Sequence, residues 1–92
     1  MKMEQKKDYI RKEVQQYIEK NVEDMAESHI EVWKDRYFRY SKERLDEDLS
    51  CNHDFSADAE YIELELGFKL NTAEYDYCEQ EFNKKVVETF FI

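Results

Sequence analysis

Proline is absent from this chain and glycine occurs once, at Gly67. With so few residues that force sharp turns or left-handed backbone, long helices and simple connections are favoured. The two cysteines, Cys51 and Cys78, are too few for a disulfide framework. No apolar run resembles a signal peptide or a membrane span, so a soluble, reduced, cytoplasmic protein is expected. Positive charge is also short: 14 Lys and Arg stand against 23 Asp and Glu, a net charge of −9. Phosphate backbones and anionic membranes would repel such a chain, whereas basic proteins would attract it.

Aromatic residues are plentiful, with seven Tyr, six Phe and one Trp. They supply the large buried areas that a small domain, here residues 1–92, needs to hold together. A hydrophobic share of 41% in regular patterns excludes general disorder.

Charge divides the chain. Residues 1–45 carry eleven basic and ten acidic groups, and residues 46–92 carry three and thirteen. The surplus peaks between Asp46 and Glu81, where twelve acids face only Lys69, a net charge of −11. No Gly/Ser-rich linker marks the change, which therefore reads as two faces of one domain.

Residues 1–7 read as a polar lead-in. From Asp8 to about Glu27, the residues Ile10, Val14, Tyr17, Ile18, Val22 and Met25 recur at i, i+3, i+4 spacing and predict an amphipathic helix. Ser28-His29-Ile30-Glu31 fits a capping box, which predicts a second helix to about Asp48, joined to the first as a hairpin or as one bent rod. Its apolar residues, among them Trp33, Tyr37 and Tyr40, span more of its circumference than one helix would cover. Residues 50–59 read as a loop rich in side chains that bond their own backbone. In residues 60–70, Ile62, Leu64, Leu66, Phe68 and Leu70 alternate with other residues, as in a half-buried strand.

The C-terminal third is open between two readings. Asn71-Thr72-Ala73-Glu74 fits another capping box, followed by Tyr75, Cys78, Phe82 and Val86 at helical spacing. The alternation from Glu74 to Cys78 suits a strand instead. Residues 86–92, rich in β-branched and aromatic side chains, are the preferred partner for the strand at 62–70. The expected class is α+β, with two N-terminal amphipathic helices packed on a small, mainly antiparallel sheet.

No catalytic constellation appears, and no enzyme activity and no cofactor are expected. Cys51, His53, His29 and Cys78 would make a Cys2His2 zinc set, but the Cys-x-His spacing departs from the usual pattern. Asp46-x-Asp48-x-Ser50 opens like a calcium loop, yet its sixth and twelfth positions are Cys51 and Ala57 rather than Gly and Glu. Neither is taken as a metal site.

The acidic surface carries the functional expectation. On a strand, Glu63 and Glu65 would share a face about 6.6–7 Å apart, a spacing similar to that of phosphates along a nucleic-acid strand. Flanked by Asp54, Asp58, Glu60, Glu74, Asp76, Glu79 and Glu81, they would form an anionic ridge suited to a Lys- and Arg-lined groove. Tyr61, Tyr75 and Tyr77 are candidate aromatic anchors on the same surface.

In small size, surplus of Asp and Glu, many tyrosines and lack of catalytic motifs, the chain resembles small phage-encoded inhibitors of bacterial defence. These include the DNA-mimic anti-restriction proteins and the acidic anti-CRISPR proteins. The resemblance is one of composition over the whole chain, with no shared motif. It implies a non-enzymatic inhibitor that occludes the nucleic-acid channel of a nuclease in the bacterial cytoplasm. The alternatives are an immunity protein or antitoxin that neutralises a basic toxin, and a helical dimeric adaptor that uses the Trp33–Tyr37–Tyr40 stripe.

Overall fold

Val14, Ile18, Val22 and Ala26 recur at every fourth position, and all four are buried. Fourfold spacing places them along one side of an α-helix. A computed structural model, which describes residues 9–91, shows that helix running unbroken as α1 (Lys12–Tyr37). Three more helices follow: α2 (Lys42–Asn52), α3 (Ser56–Leu66) and α4 (Thr72–Phe90). The lead-in at residues 1–7, the helix start at Asp8 and the last residue, Ile92, lie outside the described residues.

Helix α4 is the centre of the packing and touches each of the others, α1 most extensively. Glu74, Cys78, Phe82 and Val86 form its own fourfold series and are all fully buried. Leu45 and Leu49 from α2, and Phe55, Ala59 and Ile62 at α3, complete the core. Helices α1 and α4 begin side by side and run the same way. Arg11 meets Glu74 at one end, and His29 meets Phe82 further along.

Local chemistry sets the boundaries. The Ser41 hydroxyl accepts from the Arg44 N–H and opens α2. The Asp54 carboxylate accepts from the Ser56 N–H as α3 begins. Asn71 and Glu74 form a full capping box: the Asn71 side chain accepts from the Glu74 N–H at 2.8 Å, and Glu74 accepts from the Asn71 N–H at 3.0 Å. This is the box that the sequence offers, and it starts α4 at Thr72.

Gly67 ends α3 in the left-handed region, φ 84°, with its N–H bonded to the Glu63 carbonyl at 2.8 Å. A Cβ there would meet nothing within 4 Å, so backbone strain alone would oppose a side chain. Gly67→Ala should therefore lower stability by about 1–2 kcal/mol. Urea denaturation followed by circular dichroism checks this; an unchanged midpoint would show that the positive φ is not required.

The α+β expectation is overturned, because the described residues contain no strand and no sheet. Residues 60–66 are helical and 67–70 form a connection. Leu64 explains the misreading: its place in the alternation predicts burial, but it is 78% exposed. The true buried series is Phe55, Ala59 and Ile62, with Leu66 packed at its edge. The first two of these lie inside the stretch read as a loop. Glu, Leu and Ala are also strong helix formers, and Ile62 is the only β-branched residue between 57 and 71. Residues 86–90 are likewise helix rather than partner strand, because burial of Val86 and Val87 against the core outweighs β propensity. Ser28 to Glu31 lie inside α1, so that capping box does not form. One rod runs only to Tyr37, and the expected continuation to about Asp48 is broken at residues 38–41 before α2 begins.

Candidate functional site

Helical backbone redistributes the expected acidic ridge. Residues two apart on a helix point about 200° apart, so Glu63 and Glu65 leave α3 on opposite sides. Glu63 turns to its own C-terminal connection, accepting from the Leu70 N–H at 2.8 Å with Lys69 Nζ 3.7 Å away. Glu60, three residues before Glu63, is exposed on the same side of the helix as Glu63.

Glu74 is removed from the surface altogether. It is fully buried and accepts from the Arg11 backbone N–H at 2.9 Å, Arg11 Nε at 2.8 Å, Arg11 Nη2 at 2.7 Å and the Asn71 N–H at 3.0 Å. The Arg11 hydrogen bonds outweigh burial and hold its carboxyl down at about 2. Arg11 also donates to the Lys69 carbonyl at 2.7 Å and lies 4.0 Å from the centre of the Phe68 ring.

Tyr75 gathers several of the other expected residues. Its half-buried ring sits 5.6 Å from Phe55. Burial pushes its phenol up, and the charges of Glu79, Asp54, Asp76 and Asp58 push the same way. The ring contact with Phe55 thus brings the start of α3, with Asp54 and Asp58, near Tyr75 on α4. Tyr77 lies on α4 near Glu81 and Glu19. Tyr61, 56% exposed, lies on α3 beside Glu65 and faces Tyr17 of α1.

Between α1 and α3 lies a half-open depression of about 400 Å³, walled in part by Tyr17, Asp24, His29, Asp58, Tyr61 and Glu65. Asp58 belongs to both this depression and the Tyr75 group.

At the edge of the depression, Asp58 faces both histidines of the chain. His29 Nε2 is 3.4 Å from its Oδ1, and His53 Nε2 is 3.4 Å from its Oδ2. Burial works to raise the Asp58 carboxyl, but the histidines overcome it and hold it below its usual value. The Asp58 carboxylate in turn holds the His29 imidazole above its usual value, against the effect of burial. The other His29 nitrogen, Nδ1, is 3.1 Å from the Met25 carbonyl. His53 Nε2 is buried and has no hydrogen-bond partner. The rings of Trp33 and Phe82 stand behind both histidines at centroid distances of 4.9–5.6 Å.

The cysteines do not join this cluster. Cys51 is exposed, and Cys78 is buried in the core, where burial pushes its thiol up to about 12 and keeps it protonated. The Cys2His2 set is thus only half assembled, with Asp58 in place of the thiols. Sequence reading missed this grouping because it counted Asp58 only as surface charge; the Asp58–His53 spacing of five was the available signal. The Trp33–Tyr37–Tyr40 stripe turns largely inward. Tyr37 is buried and donates to Asp48 Oδ2 at 2.5 Å; burial first, then that bond, push its phenol up to about 12.

Comparison of the chain with known protein families, characterised proteins and solved structures finds no match. Among the described residues, no helix is long and apolar enough to cross a membrane.

Proposed function

We propose that this protein is a non-enzymatic acidic inhibitor that docks on the basic nucleic-acid-binding site of another protein, such as a bacterial defence nuclease. The observation that carries this reading is the Phe55–Tyr75 ring contact at 5.6 Å, which sets the start of α3, with Asp54 and Asp58, beside the part of α4 that carries Asp76 and Glu79. Excess charge of one sign around a partly desolvated aromatic ring suits a cationic groove. The carboxylates would replace its phosphate counterions, and the ring would supply an apolar anchor. The net charge of −11 over residues 46–81 extends the attraction beyond direct contacts. Contact through the Tyr75 side uses α3 and α4 as a rigid frame and leaves the Arg11–Glu74 pair undisturbed.

The test is competition between this protein and DNA or RNA for a basic nuclease. Binding should be mutually exclusive with nucleic acid and should weaken steeply as salt rises. Asp54→Asn, Asp76→Asn and Glu79→Gln combined should weaken inhibition at least tenfold. Neutralising Glu31 and Glu43, exposed acids in the near-neutral half, should leave it nearly unchanged. A ternary complex of nuclease, nucleic acid and this protein would exclude mimicry.

A further inference from the structure

We propose that His29, His53 and Asp58 bind a divalent transition-metal ion, Zn2+ foremost, through two imidazole nitrogens and one carboxylate. The ligand atoms available from these residues lie within 4.8 Å of one another. Both His–Asp separations are 3.4 Å. A tetrahedral Zn2+ with bonds of about 2.0–2.1 Å spaces its ligand atoms about 3.4 Å apart. The two separations run to different carboxylate oxygens, Oδ1 for His29 and Oδ2 for His53, so binding needs the carboxylate to turn one oxygen toward both nitrogens or to hold the ion with both.

Hydrogen bonding around the cluster points the same way. The Met25 carbonyl can only accept, so His29 Nδ1, 3.1 Å from it, carries the proton. Neutral His29 then turns the lone pair of Nε2 toward an oxygen that also only accepts. Either a proton or a metal ion between these two atoms would satisfy both. A proton on His29 would answer that contact, while His53 Nε2, buried and 3.4 Å from the other Asp58 oxygen, still makes no hydrogen bond. A metal ion serves all three atoms at once. A backbone carbonyl fixing the far nitrogen of a ligating histidine is also the usual outer support of metal sites.

Three protein ligands leave a fourth position for water or for a group from outside. The depression beside His29 and Asp58 gives access to it, and Asp24 and Glu65 in its wall favour a cation there. Nitrogen and oxygen donors without thiolate suit Zn2+ and its neighbours rather than Cu+. The three ligands come from α1, the α2–α3 link and α3, so a bound ion would clamp the first half of the chain to the third helix. This site shares Asp58 with the Tyr75 surface, but its test does not depend on docking there.

The test is titration of the full-length protein with Co2+, following visible absorption and the fluorescence of Trp33, the only tryptophan. Its ring centre is 4.9 Å from that of His29 and 5.1 Å from that of His53, so a paramagnetic ion in the site should quench it. One ion should bind per chain, Zn2+ should displace it, and no thiolate charge-transfer band should appear. His53→Gln and Asp58→Asn should each weaken binding by at least the roughly 10–100-fold that outer supports alone are worth. Cys51→Ser should change nothing. Zn2+ should raise the thermal midpoint of the wild type and not of the two ligand variants. Failure of the wild type to bind Co2+ or Zn2+ at millimolar concentration would overturn the proposal. A thiolate band, or binding unchanged in both ligand variants, would do the same.

Discussion

Phe82→Ala should lower the stability of this protein by about 3–5 kcal/mol, the largest effect expected of any single core truncation here. The Phe82 side chain is fully buried in the middle of α4. Its ring meets those of His29 at 5.0 Å, Phe55 at 5.6 Å, His53 at 5.6 Å and Trp33 at 6.4 Å. It therefore touches α1, the α2–α3 link and the entry to α3 together. Truncation would leave a cavity that rigid aromatic neighbours cannot fill, and the cavity adds to the lost burial. Small domains have only about 5–15 kcal/mol to lose, so much of the chain should unfold under mild denaturant. Urea denaturation read by Trp33 fluorescence gives the number. Phe38→Ala is the control: that ring is 67% exposed, and its removal should matter by no more than about 0.5 kcal/mol. Equal losses from the two variants would refute the central placing of Phe82.

Arg11→Ala should have the second-largest effect and should change the acid response as well. It would leave the fully buried Glu74 carboxylate without its guanidinium. Stranding one partner of a buried pair costs about 3–5 kcal/mol. Arg11 is itself 37% exposed, so water can partly replace it and about 2–3 kcal/mol is expected. The pH dependence follows from the Glu74 carboxyl, lowered from 4.5 to about 2 in the folded protein. Between those values the unfolded chain binds more protons than the folded one. Stability therefore rises with pH across that window and is fully present above it. It is lost as pH falls through about 2. The gap between wild type and Arg11→Ala should be widest near neutrality and close in acid. Glu74→Gln placed on Arg11→Ala should recover part of the loss at pH 7, because no charge is then stranded. A gap that stays constant with pH would show that Arg11 acts through packing on Phe68 and not through the carboxylate.

Local signals were legible in the sequence, and non-local ones were not. The first helix shows itself because Val14, Ile18 and Val22 keep a fourfold period. The Asn71–Glu74 capping box shows itself because both partners lie within four residues. Residues 60–70 misled because a short alternating run fits a strand and an amphipathic helix about equally well until the exposure of Leu64 decides. Val86 and Val87 misled because local propensity carries no knowledge of the core they enter. Among the candidate acids, composition gave no sign that Glu74 would be buried. Its partner Arg11 lies 63 residues away. The meeting of His29, His53 and Asp58 was hidden for the same reason: it depends on how three separate segments are placed in space.

The central position of α4 bears on how the chain folds as it is made. Translation delivers α1, α2 and α3 before the helix that covers them, and the ribosome must add the whole of α4 before the stripe of α1 finds its main partner. Until then Val14, Ile18 and Val22 depend on transient shelter, from chaperones or from loose collapse. Assembly is consequently a late, concerted event, and a nascent chain stalled before Thr72 would hold helical segments with little core to join them.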